Sequence, residues 1–317
     1  MTSMVPCRCP ARPCADVSGR CRSLVALGSV LCLASAAAGR QLPRFHADTR
    51  VVVLHVAVTN AHSALVPGLD RGAFKVFENG RLQSITLFGR DDVPVSIGLV
   101  IDNSGSMRSS RAAVEAAALA FVRASNPLDD LFVANFADEA RIDVPFTHDL
   151  HALETGVARV DSIGGTALRD AILLAEGYLR DHASHDRRAL LVITDGRDNA
   201  SAASERELRR VVERSGTALY AVTFTPVGQL RNARGGSDEF MDLTERSGGI
   251  MREVAAATDV REAVLDIARR IRSSYTIGYT PENRSFDGSY RPVRVVVAGP
   301  HGLTAHTRAG YWADAEP

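Results

Sequence analysis

Beyond residue 32 the sequence contains no cysteine, because Cys7, Cys9, Cys14, Cys21 and Cys32 are all five that it has. Neither disulfide bonds nor thiol catalysis can operate downstream of them, and the spacing of the leading cluster matches no zinc knuckle. Lysine is nearly missing as well: Lys75 is the only one, so positive charge is arginine's. The 37 basic and 37 acidic side chains cancel, and there is no basic tail. A general nucleic-acid or membrane-surface binder, which relies on clustered cations, is thereby disfavoured. Nine histidines show no H-E-x-x-H pairing, and neither a Walker loop nor a dinucleotide fingerprint occurs. Repeats and low-complexity linkers are absent too. What remains is 317 residues, 45% of them apolar, enough to bury a core and long enough for one large domain with a smaller one.

The amino terminus reads as a sorting segment. Arg20 and Arg22 precede an apolar run over 24–38 that ends in small residues suited to signal peptidase. Its 15 residues fall short of the ~20 that a spanning helix needs. The expectation is a signal peptide over 1–38 and an exported, secreted or periplasmic product, with membrane association only if the signal stays uncleaved. Ser29 stands where a lipoprotein signal needs Leu before Cys32, which argues against lipidation. Removal of 1–38 takes four arginines and one aspartate and leaves a net charge of −3, too slight for steering.

Residues 51–58 are rich in β-branched side chains, and Phe74-Lys75-Val76-Phe77 runs into Asn79-Gly80, a pair that tolerates the positive φ of a type I′ hairpin turn. From Val95 the rhythm changes. Apolar strands at 95–101, 131–137, 189–194, 219–224 and 250–254 alternate with helices at 111–123, 167–179, 205–213, 239–247 and 259–271, the last expected to be capped by Thr258. A strand at 142–146 fits an antiparallel edge, since Pro145 removes a ladder donor. After Arg272 the pattern returns to strands at 275–279, 293–297 and 303–307. The fold expected is a doubly wound, mostly parallel α/β sheet of five or six strands. It would be inserted between leading and trailing β segments that pack together as one small sandwich or sheet. The corresponding divisions are 39–93, 94–273 and 274–317.

Chemistry concentrates where the first parallel strand ends, in Asp102-Asn103-Ser104-Gly105-Ser106. Ligands of open α/β sheets bind at the carboxyl ends of strands, so this loop is well placed. Two later loops add oxygen: Gly164-Gly165-Thr166 before a helix, and Asp195-Gly196 after the central strand. A donor set of hydroxyls and two carboxylates, without nitrogen or sulfur, suits a small hard cation such as Mg2+ or Mn2+. Two carboxylates only balance its charge, which leaves an open position attractive to an acid from outside.

The set Asp102, Ser104, Ser106, Thr166 and Asp195 resembles the metal-ion-dependent adhesion site of von Willebrand factor type A domains, D-x-S-x-S followed by a distant Thr and a later Asp. The resemblance covers about residues 93–272. It implies direct coordination of Mg2+ or Mn2+ by Ser104, Ser106 and Thr166, with Asp102 and Asp195 acting largely through water. The sixth position would be taken by Asp or Glu of a protein partner, without nucleic acid or small-molecule substrate. In adhesive relatives ligand binding is linked to movement of the last helix, here 259–271. The flanks, with 73–80, Gln83, Ile85 and Phe88, then 275–279 and 308–311, resemble exported bacterial proteins carrying a related domain.

Other readings are weaker. An aspartyl phosphohydrolase would place a second Asp two residues after the first as acid/base, and Ser104 stands there. A serine nucleophile would want G-x-S-x-G and an orienting His, both missing around Ser104. A scaffold with an unused metal site stays open as an alternative. Asp170 is expected to bind a neighbouring loop rather than metal, Asp198 and Asn199 to be turn residues at or near the rim, and Tyr279, Tyr311 and Trp312 to belong to the β core. His182 and His185 lie in a polar loop. Asn199-Ala200-Ser201 and Asn283-Arg284-Ser285 fit a glycosylation pattern that arises often by chance.

Overall fold

Continuous apolar runs whose alternate residues face opposite ways make the central sheet. A computed structural model describes residues 50–90, 92–158, 163–224, 234–299 and 302–314; the signal-peptide reading of 1–38 and all five cysteines lie outside them. Strands β5 (Ser96–Asp102), β6 (Asp130–Phe136), β7 (Ala140–Thr147), β8 (Arg188–Thr194), β9 (Ala218–Phe224) and β10 (Met251–Val254) form one sheet in the order β10-β9-β8-β5-β6-β7. All neighbours are parallel except β6 and β7, so the edge expected from Pro145 is present.

Along β5, Ile97, Leu99 and Ile101 face a core shared with helices α1 (Arg111–Ala124), α2 (Leu150–Val157) and α6 (Val260–Arg272). Val100, from the same strand, faces α3 (Leu168–His182), α4 (Glu205–Ser215) and α5 (Arg234–Ser247). Alternate residues therefore serve opposite helical layers, which is why the strands read as unbroken apolar runs. Among the described residues no helix is long and apolar enough to cross a membrane.

The flanking strands interleave across the whole chain. β1 (Val52–Thr59) lies between β11 (Tyr275–Tyr279) and β13 (Thr304–His306), with β4 (Ile85–Gly89) beyond β11. In a second sheet, β12 (Tyr290–Val297) lies between β14 (Gly310–Trp312) and β2 (Phe74–Glu78), with β3 (Arg81–Gln83) outermost. Leading and trailing segments thus contribute to both sheets, and their inner faces share one core that includes Leu54, Val56, Val76, Ile277, Tyr279 and Val295. The β2–β3 turn has Asn79 at φ 49° and Gly80 at φ 78°, the left-handed pair that a type I′ turn demands. Tyr279 is fully buried, and its hydroxyl donates to Glu78 Oε2 at 2.8 Å, as does that of Tyr311.

Four details differ from the sequence reading. Helix α2 has no counterpart in the apolar pattern; it starts because Asp149 accepts hydrogen bonds from the His151 and Ala152 amides. Helix α5 begins five residues before its apolar pattern does. Strand β14 is an additional short strand. Thr258 caps nothing, since it sits in a 3-10 turn and its hydroxyl donates to Asp259.

Candidate functional site

Strand β5 is central, and the chain leaves it for β6 on one side and later for β8 on the other, so the carboxyl ends of β5 and β8 flank a switch point of strand order. Asp102 closes β5 and is fully buried. Its Oδ1 accepts the Ser104 amide at 2.8 Å, and its Oδ2 accepts the Thr194 hydroxyl from the end of β8 at 2.6 Å. Burial pushes the Asp102 carboxyl up from its ordinary range, hydrogen bonds from Ser104 and Thr194 oppose this, and the nearby charge of Asp195 adds to the rise.

Ser104 is buried and Ser106 exposed, with their hydroxyl oxygens 3.0 Å apart. The second loop is stitched to the first by the Gly105 amide, which donates to Gly164 O at 3.2 Å. Glycine is required there on two grounds. Gly164 has φ +98°, and a Cβ on it would lie 2.0 Å from Asp138 Oδ2; one on Gly165 would lie 2.7 Å from Asn199 Oδ1. Asp138 Oδ1 accepts the Gly165 amide at 2.6 Å, so the turn after β6 also holds this loop.

Thr166 is buried and its backbone is bonded on both sides to the third loop. Asn199 Oδ1 accepts the Thr166 amide at 2.8 Å, and Thr166 O accepts the Asn199 amide at 3.1 Å. Asp195 Oδ1 accepts the Arg197 amide at 3.1 Å, with Arg197 Nε 3.7 Å from its other oxygen. All three predicted loops thus come to one end of the sheet and are joined by named hydrogen bonds. Among the described residues no three or more His, Cys, Asp or Glu side chains gather as a metal site; the loops bring two carboxylates, Asp102 and Asp195, with hydroxyls for the rest.

Supporting residues hold the loops in place, and the contacts of several go beyond what the sequence pattern indicates. Asp198 and Asn199 are more than turn residues: Asp198 Oδ2 accepts the Arg169 amide at 2.9 Å while Asn199 fixes Thr166. Asp170 binds the Ala202 and Ala203 amides, as expected of a loop fastener. Beneath the first loop, Asn103 donates to Asn135 Oδ1 at 2.8 Å, and Arg111 donates both to Asn103 Oδ1 and to Val157 O. Thr194 is legible only as a strand end, since nothing in a linear pattern says that its hydroxyl meets Asp102, 92 residues away.

A doubly wound sheet with a D-x-S-x-S loop, a GGT loop and an aspartate at one end defines a class of domain. Residues 97–197 match the family model of the von Willebrand factor type A domain. Solved structures similar to it include the vWF domain of the type V pili tip protein Mfa5 from Porphyromonas gingivalis, 13% identical over 57% of this chain and 95% of that one, with a TM-score of 0.47. A von Willebrand factor type A protein from Catenulispora acidiphila is 15% identical over 82% of this chain and 73% of that one, TM-score 0.47. The conserved protein BatB from Bacteroides thetaiotaomicron is 19% identical over 56% and 100% respectively, TM-score 0.42. No curated protein matches the chain.

Proposed function

We propose that this chain is an exported protein-binding module in which a divalent cation, Mg2+ or Mn2+, is held by Ser104, Ser106 and Thr166 directly and by Asp102 and Asp195 largely through water. The carrying observation is the pair of serine hydroxyls 3.0 Å apart on the loop that follows the buried Asp102 carboxyl. In an octahedron with metal–oxygen distances near 2.1 Å, adjacent oxygens stand about 3.0 Å apart, so the pair has the spacing of one octahedral edge. A buried Asp102 whose two oxygens are already engaged by Ser104 and Thr194 suits an outer position better than direct ligation. When bound, the cation supplies an electrophilic position for a carboxylate of the partner. The protein's own residues do the positioning: Thr194 and the Ser104 amide orient Asp102, Asn199 orients Thr166, and Gly105 joins the first two loops.

Binding is favoured over catalysis because Ser104 stands two residues after Asp102, where a phosphohydrolase would carry a second aspartate as its acid/base. Export rests on the reading of residues 1–38, and the divisions 39–93, 94–273 and 274–317 follow the change from β to α/β and back.

The test is calorimetric titration with MgCl2 and MnCl2, with Asp102→Ala as the variant. Uptake by the native chain, its loss in the variant and an unchanged circular dichroism spectrum are expected. Capture of a surface protein should then require Mg2+, fail in EDTA and fail with the variant. A native chain that takes up neither metal would refute the reading.

A further inference from the structure

At the opposite end of the sheet from Asp102, a cleft lies between strand β1 and the amino-terminal ends of β8 and β9. It is a narrow cleft, partly open to solvent. Arg187 and Arg188, where β8 begins, line it together with His55 of β1, Tyr220 of β9, Thr307 and Arg308. Two segments far apart in sequence therefore bring three guanidinium groups to one space, and no carboxylate is among the described residues that line it.

The polar atoms here are underused. His55 Nδ1, Arg188 Nε, Thr307 Oγ1 and Arg308 Nε are buried and have no hydrogen-bond partner among the described residues. Arg187 and Arg308 donate to backbone carbonyls, Ile271 O and Val53 O, and the Arg308 guanidinium also lies 5.6 Å from the centroid of the Tyr311 ring; none of these partners carries a neutralising charge. The carboxylates among the described residues that act on Arg187 and Arg188 lie outside the cleft lining. Glu176 bears on Arg188, while Asp92 and Asp129 bear on Arg187 and are themselves paired with Arg272, each at 3.1 Å. Burial, with Arg187 and Arg308, pushes His55 down to about 3, so its ring is neutral at neutral pH and offers one N–H and one lone pair. Cations withdrawn from water without counter-charge cost solvation free energy that a bound anion restores.

We propose that this cleft binds a small oxyanion of the phosphate class through the guanidinium groups of Arg187, Arg188 and Arg308, with Thr307 and His55 as neutral partners. Planar guanidinium forks match the oxygens of a tetrahedral oxyanion, a geometry that a spherical halide lacks. The bound ion fastens the sandwich, which supplies His55, Thr307 and Arg308, to the α/β layer, which supplies Arg187 and Arg188. The site is independent of the cation site, since Arg188 opens strand β8 and Thr194 closes it.

The experiment is thermal unfolding of the full chain in EDTA, which removes any contribution from the Asp102 loops, across a titration with inorganic phosphate at ionic strength held constant by NaCl. A saturable rise in Tm is expected, roughly 5–10 °C at a hundredfold excess over Kd. Sulfate, which shares the tetrahedral oxygens, should act likewise and NaCl alone should not. Arg188→Gln should weaken the apparent phosphate affinity roughly ten- to hundredfold, the range of a charge-assisted hydrogen bond. Thr307→Val is a gentler variant that should weaken it less and that decides the matter if Arg188→Gln does not fold. Superimposable phosphate and NaCl curves, or variants that titrate like the native chain, would overturn the proposal.

Discussion

Glu176 shows how far one side chain can set the behaviour of the fold. It lies on the buried face of α3, and its Oε2 accepts the Thr217 hydroxyl at 2.9 Å while Oε1 has no hydrogen-bond partner among the described residues. Burial raises its carboxyl from 4.5 to about 7, against the hydrogen bonds from Thr217 and Ser215 and the charge of Arg188. The folded state therefore binds this proton more tightly than the unfolded chain does. The resulting stabilisation is fully present below about pH 4.5 and is lost as pH rises through about 7. Its full size is on the order of 3 kcal/mol, since each tenfold gain in proton affinity is worth about 1.4 kcal/mol. In Glu176→Gln the amide oxygen can still accept from Thr217, but the titration is gone. Urea midpoints measured from pH 5 to 8 should fall for the native chain and fall measurably less for the variant; equal slopes would assign the dependence to other groups.

Elements in this protein are recognisable from sequence where their periodicity is long and their ends carry known signals. The strand β8 reads directly, because both of its faces are covered and every inner residue must be apolar. Helix α2 is only eight residues, with too few turns to display a stripe, and its sole advertisement is Asp149. That cap should be worth about 1 kcal/mol, so Asp149→Ala is expected to lower Tm by roughly 2–4 °C without altering the spectrum of the folded chain. A drop no larger than that of a distant surface alanine would show that α2 is held by Leu153 and Val157 against the core instead. The Asn79-Gly80 turn stands at the other extreme, where two residues announce both the hairpin and its backbone conformation.

Across the whole molecule, the sandwich cannot be completed until the last strands are present. β1 pairs with β11 and β13, and β2 pairs with β12, so removal of everything after residue 273 strips partners from both leading strands and leaves exposed edges. A chain ending there is expected to aggregate on size-exclusion chromatography. Residues 94–273 alone, which hold the complete six-stranded sheet, should elute as a monomer with a cooperative melt. If the truncated chain stays monomeric and melts normally, the sandwich is dispensable to the rest. Both proposed ligand sites depend on this scale: the cation loops sit at one end of the sheet and the arginine cleft at the other, where the sandwich docks.

The strand–helix alternation, the antiparallel edge at Pro145 and the identity of the five oxygen-bearing candidates were determined by the sequence itself, because each follows from local periodicity, backbone chemistry or a short spaced motif. The tertiary structure alone decided what those residues touch. The Thr194 hydroxyl on Asp102, the Asn199 amide oxygen on Thr166, the buried Glu78 between Tyr279 and Tyr311, and three arginines around one cleft are contacts between positions tens to hundreds of residues apart. Hydrogen bonds and desolvation act over a few ångströms of space, and separation along a chain carries no record of that distance until the strands are ordered.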